Sequence, residues 1–452
     1  MGNCEKKLLI VGFSVTGIGC ARVLADKYSV FVTEFGEKKE QDNEVVEELL
    51  SKGVKIEFGG HSDEFVLGSD FAILSPSIPQ NAPILAKLKE QNIPYFSDIE
   101  FLQKIDESSN VVMITGTNGK TTTTMLVSHI LSKKFNAPTC GNIGVSPIAH
   151  VDSKPDYYVV EASSYQLNYT GEFAPKIGIF TNLTPDHISW HGGLEEYFQA
   201  KAKPFFNMDE NSFAILNFDD KKVCEIADKT KAKVCYFAIN GDNLPQKENN
   251  CYVAGGSIFW GEEKIIEVKD VPIVGNHNLQ NVMCAILAAK CTGMDNETIA
   301  SAIKTFRAPK HRCELIRTLS GTEYFNDSKA TNPEASIVAI QSFEGKKVVL
   351  IAGGRDKNTS LDEFVEVVKK CISKVVLIGE ATERFTNELY SNGFSNIVHA
   401  QSLEEAIDLA SLDLPDVVLL SPACASFDMF KSYEERGEVF SRYVLSKKQL
   451  LS

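Results

Sequence analysis

The 452-residue sequence has no excess of basic residues: 46 lysines and arginines stand against 60 aspartates and glutamates, a net charge of −14. That balance excludes a general nucleic-acid binder, whose affinity rests on cations that neutralise phosphates. No apolar run approaches the roughly 18 residues of a membrane-spanning helix. The charged Glu5-Lys6-Lys7 leads directly into a strand-like run, so no secretion signal is expected either. Cysteine occurs eleven times but in no pair at metal-ligand spacing, which reads as reduced thiols filling the core of a cytoplasmic protein. Repeats and low-complexity tracts are lacking. What is there, 43% hydrophobic and 23% charged, is ordinary globular composition, with length for about three domains and a monomer as the default state.

Short apolar runs alternate with amphipathic stretches of helical length, the pattern of parallel sheets crossed by helices. The expected fold class is α/β in three domains. Residues 1–97 form a Rossmann-like N-terminal domain, with strands such as Leu8-Leu9-Ile10-Val11-Gly12 and Val30 to Thr33. Residues 98–308 form a central P-loop ATPase domain, mainly a parallel sheet with a small antiparallel sheet over Cys251 to Val271. Residues 309–452 form a Rossmann-like C-terminal domain. Arg307-Ala308-Pro309 reads as the last linker, since proline disfavours helix in the residue before it.

The strongest local signal is Thr115-Gly116-Thr117-Asn118-Gly119-Lys120-Thr121-Thr122, between a buried strand and a helix. Glycines let backbone N–H groups turn inward, the helix N-terminus adds positive potential and lysine supplies a point charge for phosphate. The hydroxyl after the lysine suits nucleotide-borne magnesium. Glu161 closes another apolar run, Tyr158-Val159-Val160, where an unpaired charge is costly, so it is a second candidate for magnesium. An earlier loop, Gly12-Phe13-Ser14-Val15-Thr16-Gly17, looks like a dinucleotide fingerprint with Glu34 in the ribose position, but Ser14 replaces its middle glycine. A diphosphate loop for another nucleotide explains it better than NAD does.

Four further motifs follow the phosphate loop in order: Glu161-Ala162-Ser163-Ser164, Thr181-Asn182-Leu183-Thr184-Pro185-Asp186-His187, Gly275-Asn276-His277-Asn278 and His311-Arg312. The last third adds Asn326-Asp327-Ser328-Lys329-Ala330-Thr331-Asn332, Gly353-Gly354-Arg355-Asp356-Lys357 and Ser421-Pro422-Ala423-Cys424-Ala425-Ser426-Phe427-Asp428. Together they resemble the Mur ligases of peptidoglycan synthesis, over residues 12 to about 440, and within that family the D-glutamate-adding branch, whose mark is the Asp-Ser-Lys-Ala-Thr-Asn segment.

The resemblance implies an ATP-dependent ligase that phosphorylates the carboxylate of UDP-N-acetylmuramoyl-L-alanine and lets the amine of D-glutamate displace phosphate. It implies two magnesium ions, held by Thr121, Glu161, His187 and a carbamylated Lys201. Lys120, His187, Lys201 and Lys329 become the catalytic set. Residues Gly116 to Thr122, with Asn278, Asn281, Arg312 and Asp327, hold the nucleotide. Ser14, Val15, Thr16, Ser75, Asn142 and Tyr197 receive the uridine diphosphate sugar. Thr331, Lys357, Ser426, Phe427 and Tyr433 form the D-glutamate pocket, with Tyr433 where phenylalanine is common. Because groups come from two domains, closure around ATP is expected. Other readings are an amide ligase of the same superfamily with another amino acid, an NAD(P)-dependent oxidoreductase, and a nucleotide-binding regulator without catalysis.

Overall fold

The computed structural model describes residues 6–356 and 359–447. Lys357, expected in the D-glutamate pocket, lies outside the described residues. Three sheets carry the fold. The first contains β1 (Lys7–Val11), β2 (Ser29–Glu34), β3 (Lys55–Phe58), β4 (Phe71–Leu74) and β5 (Tyr95–Phe96), all parallel, in the order β3-β2-β1-β4-β5. Leu8 to Val11 are fully buried, as expected of a strand covered on both faces. The order reverses between β1 and β4, which opens a crevice at their carboxyl ends. Gly12 and Ser75 sit there.

The second sheet holds β6 (Val111–Thr115), β7 (Thr139–Gly141), β8 (Tyr158–Glu161), β9 (Ile177–Phe180), β10 (Phe213–Asn217), β11 (Lys233–Asn240), β12 (Cys251–Ala254), β13 (Ser257–Trp260) and β14 (Glu263–Glu267). Its order is β14-β13-β12-β11-β10-β9-β6-β8-β7. The antiparallel strands β12 to β14 are not a separate sheet: β12 pairs in parallel with β11, and the two hairpins extend the same layer. The backbone hydrogen bonds of β11 need a neighbour, and the Cys251–Ala254 strand supplies it. Again the order reverses beside β6, so the loop after β6 lies in a crevice flanked by the ends of β8 and β9.

The third sheet holds β15 (Glu314–Leu319), β16 (Thr322–Asn326), β17 (Val348–Gly353), β18 (Ile372–Ile378), β19 (Ile397–His399) and β20 (Val417–Leu420), in the order β15-β16-β20-β17-β18-β19. All pairs are parallel except β15 with β16. Apolar clusters cover both faces of this sheet, around Phe364 and Phe385 on one side and Ile407 and Phe440 on the other. Contacts divide the chain into two compact units, Met1–Asp270 with Gln280–Thr305, and Val271–Leu279 with Phe306–Ser452. The first contains the first two sheets and the second contains the third. Among the described residues, no helix is long and apolar enough to cross a membrane.

Candidate active site

In the first unit, the strand β6 ends at buried Thr115 and the helix Lys120–Leu131 begins five residues later. The turn between them needs its glycines. Gly116 has φ +142°, and a Cβ there would meet the Thr181 hydroxyl at 2.0 Å. Gly119 has φ +83°, and its Cβ would meet Asn281 Oδ1 at 2.4 Å. Neighbouring loops hold the turn: Thr181 Oγ1 donates to the Asn118 carbonyl at 2.6 Å, and Asn182 Oδ1 accepts from the Asn118 N–H at 2.8 Å. Gly119 provides no side-chain cap and the first turn of the helix carries no acid, so that end keeps the positive character that suits an anion.

Two lysines converge on this turn. Lys120 Nζ donates to the carbonyls of Gly116 at 3.1 Å and Thr117 at 2.7 Å. Lys201 Nζ donates to the same Gly116 carbonyl at 2.7 Å and lies 4.8 Å from the Tyr197 ring centroid. Tyr197 and Lys201 are four apart on the helix Leu194–Phe206, hence on one face, and each is 1% exposed. Lys201 is fully enclosed, unlike an ordinary solvated helix lysine. Burial, then the neighbouring Lys120 charge, hold its pKa well below the ordinary lysine value, opposed by Asp186 and Glu161.

Glu161, at the end of β8 and paired in register with Ile114 of β6, is 2% exposed. Its Oε1 accepts from Asn142 Nδ2 at 2.7 Å, and its Oε2 has no hydrogen-bond partner among the described residues. A buried carboxylate oxygen in that state suits a cation. His187 is exposed, in the left-handed region at φ +52°, with its ring 4.9 Å from Tyr165 and 6.5 Å from Tyr197. Asp186 lies 3.4 Å from His187 Nε2, and desolvation lowers the imidazole pKa despite that acid. Tyr197 reaches the phosphate loop directly, with its hydroxyl 3.2 Å from Thr117 Oγ1. Asn281 accepts from Thr123 Oγ1 at 3.1 Å.

Sequence reasoning missed His191. It is 6% exposed, packed against Tyr165, Trp190 and Tyr197, with Nε2 3.0 Å from Ser164 Oγ and Nδ1 unpartnered among the described residues. Desolvation lowers its pKa to about 4. Only its place four residues after His187 could have flagged it.

The glycine loop after β1 serves the crevice of the first sheet. Ser14 caps the helix Val15–Leu24 by accepting from Gly17 N at 3.3 Å, and its hydroxyl lies 2.8 Å from Ser75 Oγ. Val15 is 70% exposed, and Thr16 is half-buried. Glu34 does not stand out to meet a ribose: its Oε2 accepts from Phe13 N at 2.7 Å and its Oε1 from Gly36 N at 2.9 Å. The carboxylate shapes the loop.

The second unit brings its own candidates together at the carboxyl end of the third sheet. Asp327 Oδ2 accepts from Ser421 Oγ at 2.8 Å, and Oδ1 from Cys313 N at 3.1 Å. Lys329 Nζ lies 3.8 Å over the Tyr433 ring. Thr331 is half-buried, Ser426 is buried and Phe427 is 63% exposed. Asn278 donates to the Val274 carbonyl at 2.8 Å, and Arg312 is half-buried.

Burial pushes the Asp327 pKa up to about 7. An ordinary aspartate titrates near 3.9, so between about pH 4 and 7 the folded chain keeps a proton that the unfolded chain has released. The stability contributed there therefore falls as pH rises through that window. Asp327→Asn should remove the slope. Thermal midpoints of native and variant protein, compared from about pH 5 to about pH 8, should diverge in the variant's favour as pH rises; parallel curves would refute the assignment.

Three family profiles match the chain in order: the Mur ligase MurD-like N-terminal domain over residues 6–97, the Mur ligase middle domain over 114–289 and the Mur ligase glutamate ligase domain over 311–424. UDP-N-acetylmuramoylalanine–D-glutamate ligase of Thermoanaerobacter pseudethanolicus is 38% identical over 452 residues, covering 97% of this chain and 98% of that protein. The protein of the same name from Clostridioides difficile is also 38% identical, over 96% of this chain and 97% of its own length. Two solved structures share the fold. UDP-N-acetylmuramate-alanine ligase from Thermotoga maritima has a TM-score of 0.56 at 20% identity, covering 98% of this chain and 100% of that one. UDP-N-acetylmuramoylalanyl-D-glutamyl-2,6-diaminopimelate–D-alanyl-D-alanyl ligase from Acinetobacter baumannii has a TM-score of 0.60 at 17% identity, covering 97% and 93%. A phosphate loop backed by buried lysine and carboxylate is thus found in a sequence related to these ligases along nearly all of its length, and the chain belongs to the Mur ligase family.

Proposed function

We infer that this chain joins D-glutamate to UDP-N-acetylmuramoyl-L-alanine in peptidoglycan precursor synthesis, with ATP supplying a phosphoryl group to the carboxylate. Relatives that bear the name of that ligase support the substrates. One observation carries the chemistry: the side-chain nitrogens of Lys120 and Lys201 meet at the Gly116 carbonyl, with the buried Glu161 carboxylate in electrostatic reach. The first step brings two anions together, so catalysis is mainly charge neutralisation and positioning.

In this reading Lys120 neutralises the outer phosphates, and residues 116–122 cradle them with backbone N–H groups. Asn278, Asn281, Arg312 and Asp327 hold the rest of the nucleotide, and Lys329 meets the reacting phosphate. Ser14, Val15, Thr16, Ser75, Asn142 and Tyr197 take the uridine diphosphate sugar; Thr331, Lys357, Ser426, Phe427 and Tyr433 take D-glutamate. The acyl phosphate is then attacked by the deprotonated amine, and phosphate leaves through a tetrahedral intermediate. Residues 1–97, 98–308 and 309–452 act as the sugar-nucleotide, ATP and amino-acid domains.

Thr121 and Glu161 fit one magnesium ion, because Glu161 has a buried oxygen to spare. Among the described residues no three His, Cys, Asp or Glu side chains cluster, so phosphate and water would complete the shell. Bound there, the ion would offset charge on the transferring phosphoryl group. His187 and Lys201 would hold the second ion. As an ammonium, Lys201 cannot ligate; as the neutral amine that burial favours, its Nζ can bond to the carbon of carbon dioxide and lose a proton. The product is a carbamate anion.

Phosphate release should be measured with UDP-N-acetylmuramoyl-L-alanine, ATP and a panel of amino acids. Release with D-glutamate is the expected result. Release with L-alanine or a diamino acid, and none with D-glutamate, would refute the substrate reading.

A further inference from the structure

Arg436, in the first turn of the helix Tyr433–Ser446, is 1% exposed. Two features make it an expensive residue there. A cation in the first turn opposes the helix dipole, and a fully buried guanidinium loses its hydration. What it receives in return is five hydrogen bonds, all to uncharged acceptors. Nε and Nη2 donate to the Oγ and carbonyl of Ser328, each at 2.9 Å. Nη1 and Nη2 donate to the Cys424 carbonyl, each at 3.2 Å, and Nη1 also to the Ala425 carbonyl at 3.4 Å.

Those acceptors belong to two loops that leave different strands. Ser328 follows β16 and stands next to Lys329; Cys424 and Ala425 follow β20 and stand next to Ser426 and Phe427. The guanidinium is the strut between them. Its surroundings leave no slack: the Ser328 hydroxyl donates onward to the Tyr433 carbonyl at 2.8 Å. The Ala425 carbonyl also accepts from Arg355 N at 2.8 Å. A Cβ on Gly354 would stand 2.3 Å from the Ala425 carbonyl oxygen and 3.2 Å from Arg436 Nη1. Gly437, the next residue, is pressed against His311, whose Nδ1 would lie 2.1 Å from an added Cβ. Burial lowers the Arg436 pKa only to about 10, so the strut stays charged at neutral pH.

We propose that Arg436 is a positioning residue for the incoming amino acid: by spanning Ser328 and the Cys424–Ala425 carbonyls, it sets the separation between Thr331 on one loop and Ser426 and Phe427 on the other. The inference rests on the reading of those side chains as the D-glutamate pocket. Lysine cannot replace the strut, because an ammonium is a point donor while the guanidinium is a planar fork that reaches several acceptors at once.

The test uses the full-length enzyme, with phosphate release followed as each of the three substrates is titrated in turn. For Arg436→Lys the KM for D-glutamate should rise on the order of 10- to 100-fold, the penalty of misplacing binding groups by about an ångström. The KM values for ATP and for UDP-N-acetylmuramoyl-L-alanine should stay within about twofold, because uniform binding at those sites is untouched. In Arg436→Ala, guanidinium chloride at non-denaturing concentration should restore part of the lost D-glutamate affinity. Ser328→Ala, which deletes one acceptor and leaves the charge, guards against a failure of Arg436→Lys to fold, and should raise the same KM by a smaller factor. A native D-glutamate KM in whichever of these variants folds, or an equal rise for all three substrates, would overturn the role. No D-glutamate-dependent release from the native enzyme would instead refute the substrate reading, and this inference with it.

Discussion

Replacing Lys120 by alanine is expected to lower ATP-dependent phosphate release by at least about a thousandfold, since even one preorganised donor at a developing charge is worth a factor of about 100 to 1,000. The lysine sits at the first position of the helix that follows the phosphate loop, where the helix dipole already favours an anion. Its Nζ is held by the Gly116 and Thr117 carbonyls, which orient the ammonium without neutralising it. Removing it deletes two hydrogen bonds from a half-buried side chain, a loss of about 1–3 kcal/mol. The helix itself rests on buried Leu126, Val127, Ile130 and Leu131. The variant should therefore melt within a few degrees of the native protein while turnover disappears. Near-native turnover would remove the loop from the mechanism.

Lys201→Met is the second large effect, and it separates activity from stability. The buried amine has a folded pKa below that of the unfolded chain. Between the folded value and about 10.4 the unfolded chain binds the extra proton, so stability contributed at this site rises with pH through that window. Methionine has similar length and no charge to desolvate, so the variant should lose that pH dependence and melt no lower than the native protein at neutral pH. Turnover should nonetheless fall at least about 100-fold, because the anion that a carbamate would place by the metal is gone. Added bicarbonate should leave the variant unaffected. A variant that keeps its activity would show that Lys201 is only a core residue, and a marked drop in melting temperature would show that its hydrogen bond to Gly116 outweighs its desolvation.

Much of this molecule was legible along the chain. Strand, glycine turn and helix follow one another within Val111 to Leu131, and each is written in local terms: an apolar run, two residues without Cβ where φ is positive, a lysine at the helix start. Glu161 could be read the same way, because a carboxylate at the end of a buried strand needs a reason to be there. The antiparallel character of Cys251 to Glu267 showed in its turns; that these strands would continue the parallel sheet did not, since nothing local says which edge a hairpin will pair with.

Local pattern alone therefore determined the α/β class, the strand-to-helix phosphate loop and the chemical type of the residues around it, because periodicity, turns and helix starts depend on neighbours a few positions away. Tertiary structure alone decided that Lys201, 85 residues downstream, would lie buried under Gly116, that Glu34 would brace its own loop and that Arg436 would join two loops of the third sheet. Those facts depend on strand order: only when β6 lies between β8 and β9 do Thr115, Glu161 and Thr181 share one edge. Strand order is fixed by how whole sheets bury their faces, and no short window of residues contains that information.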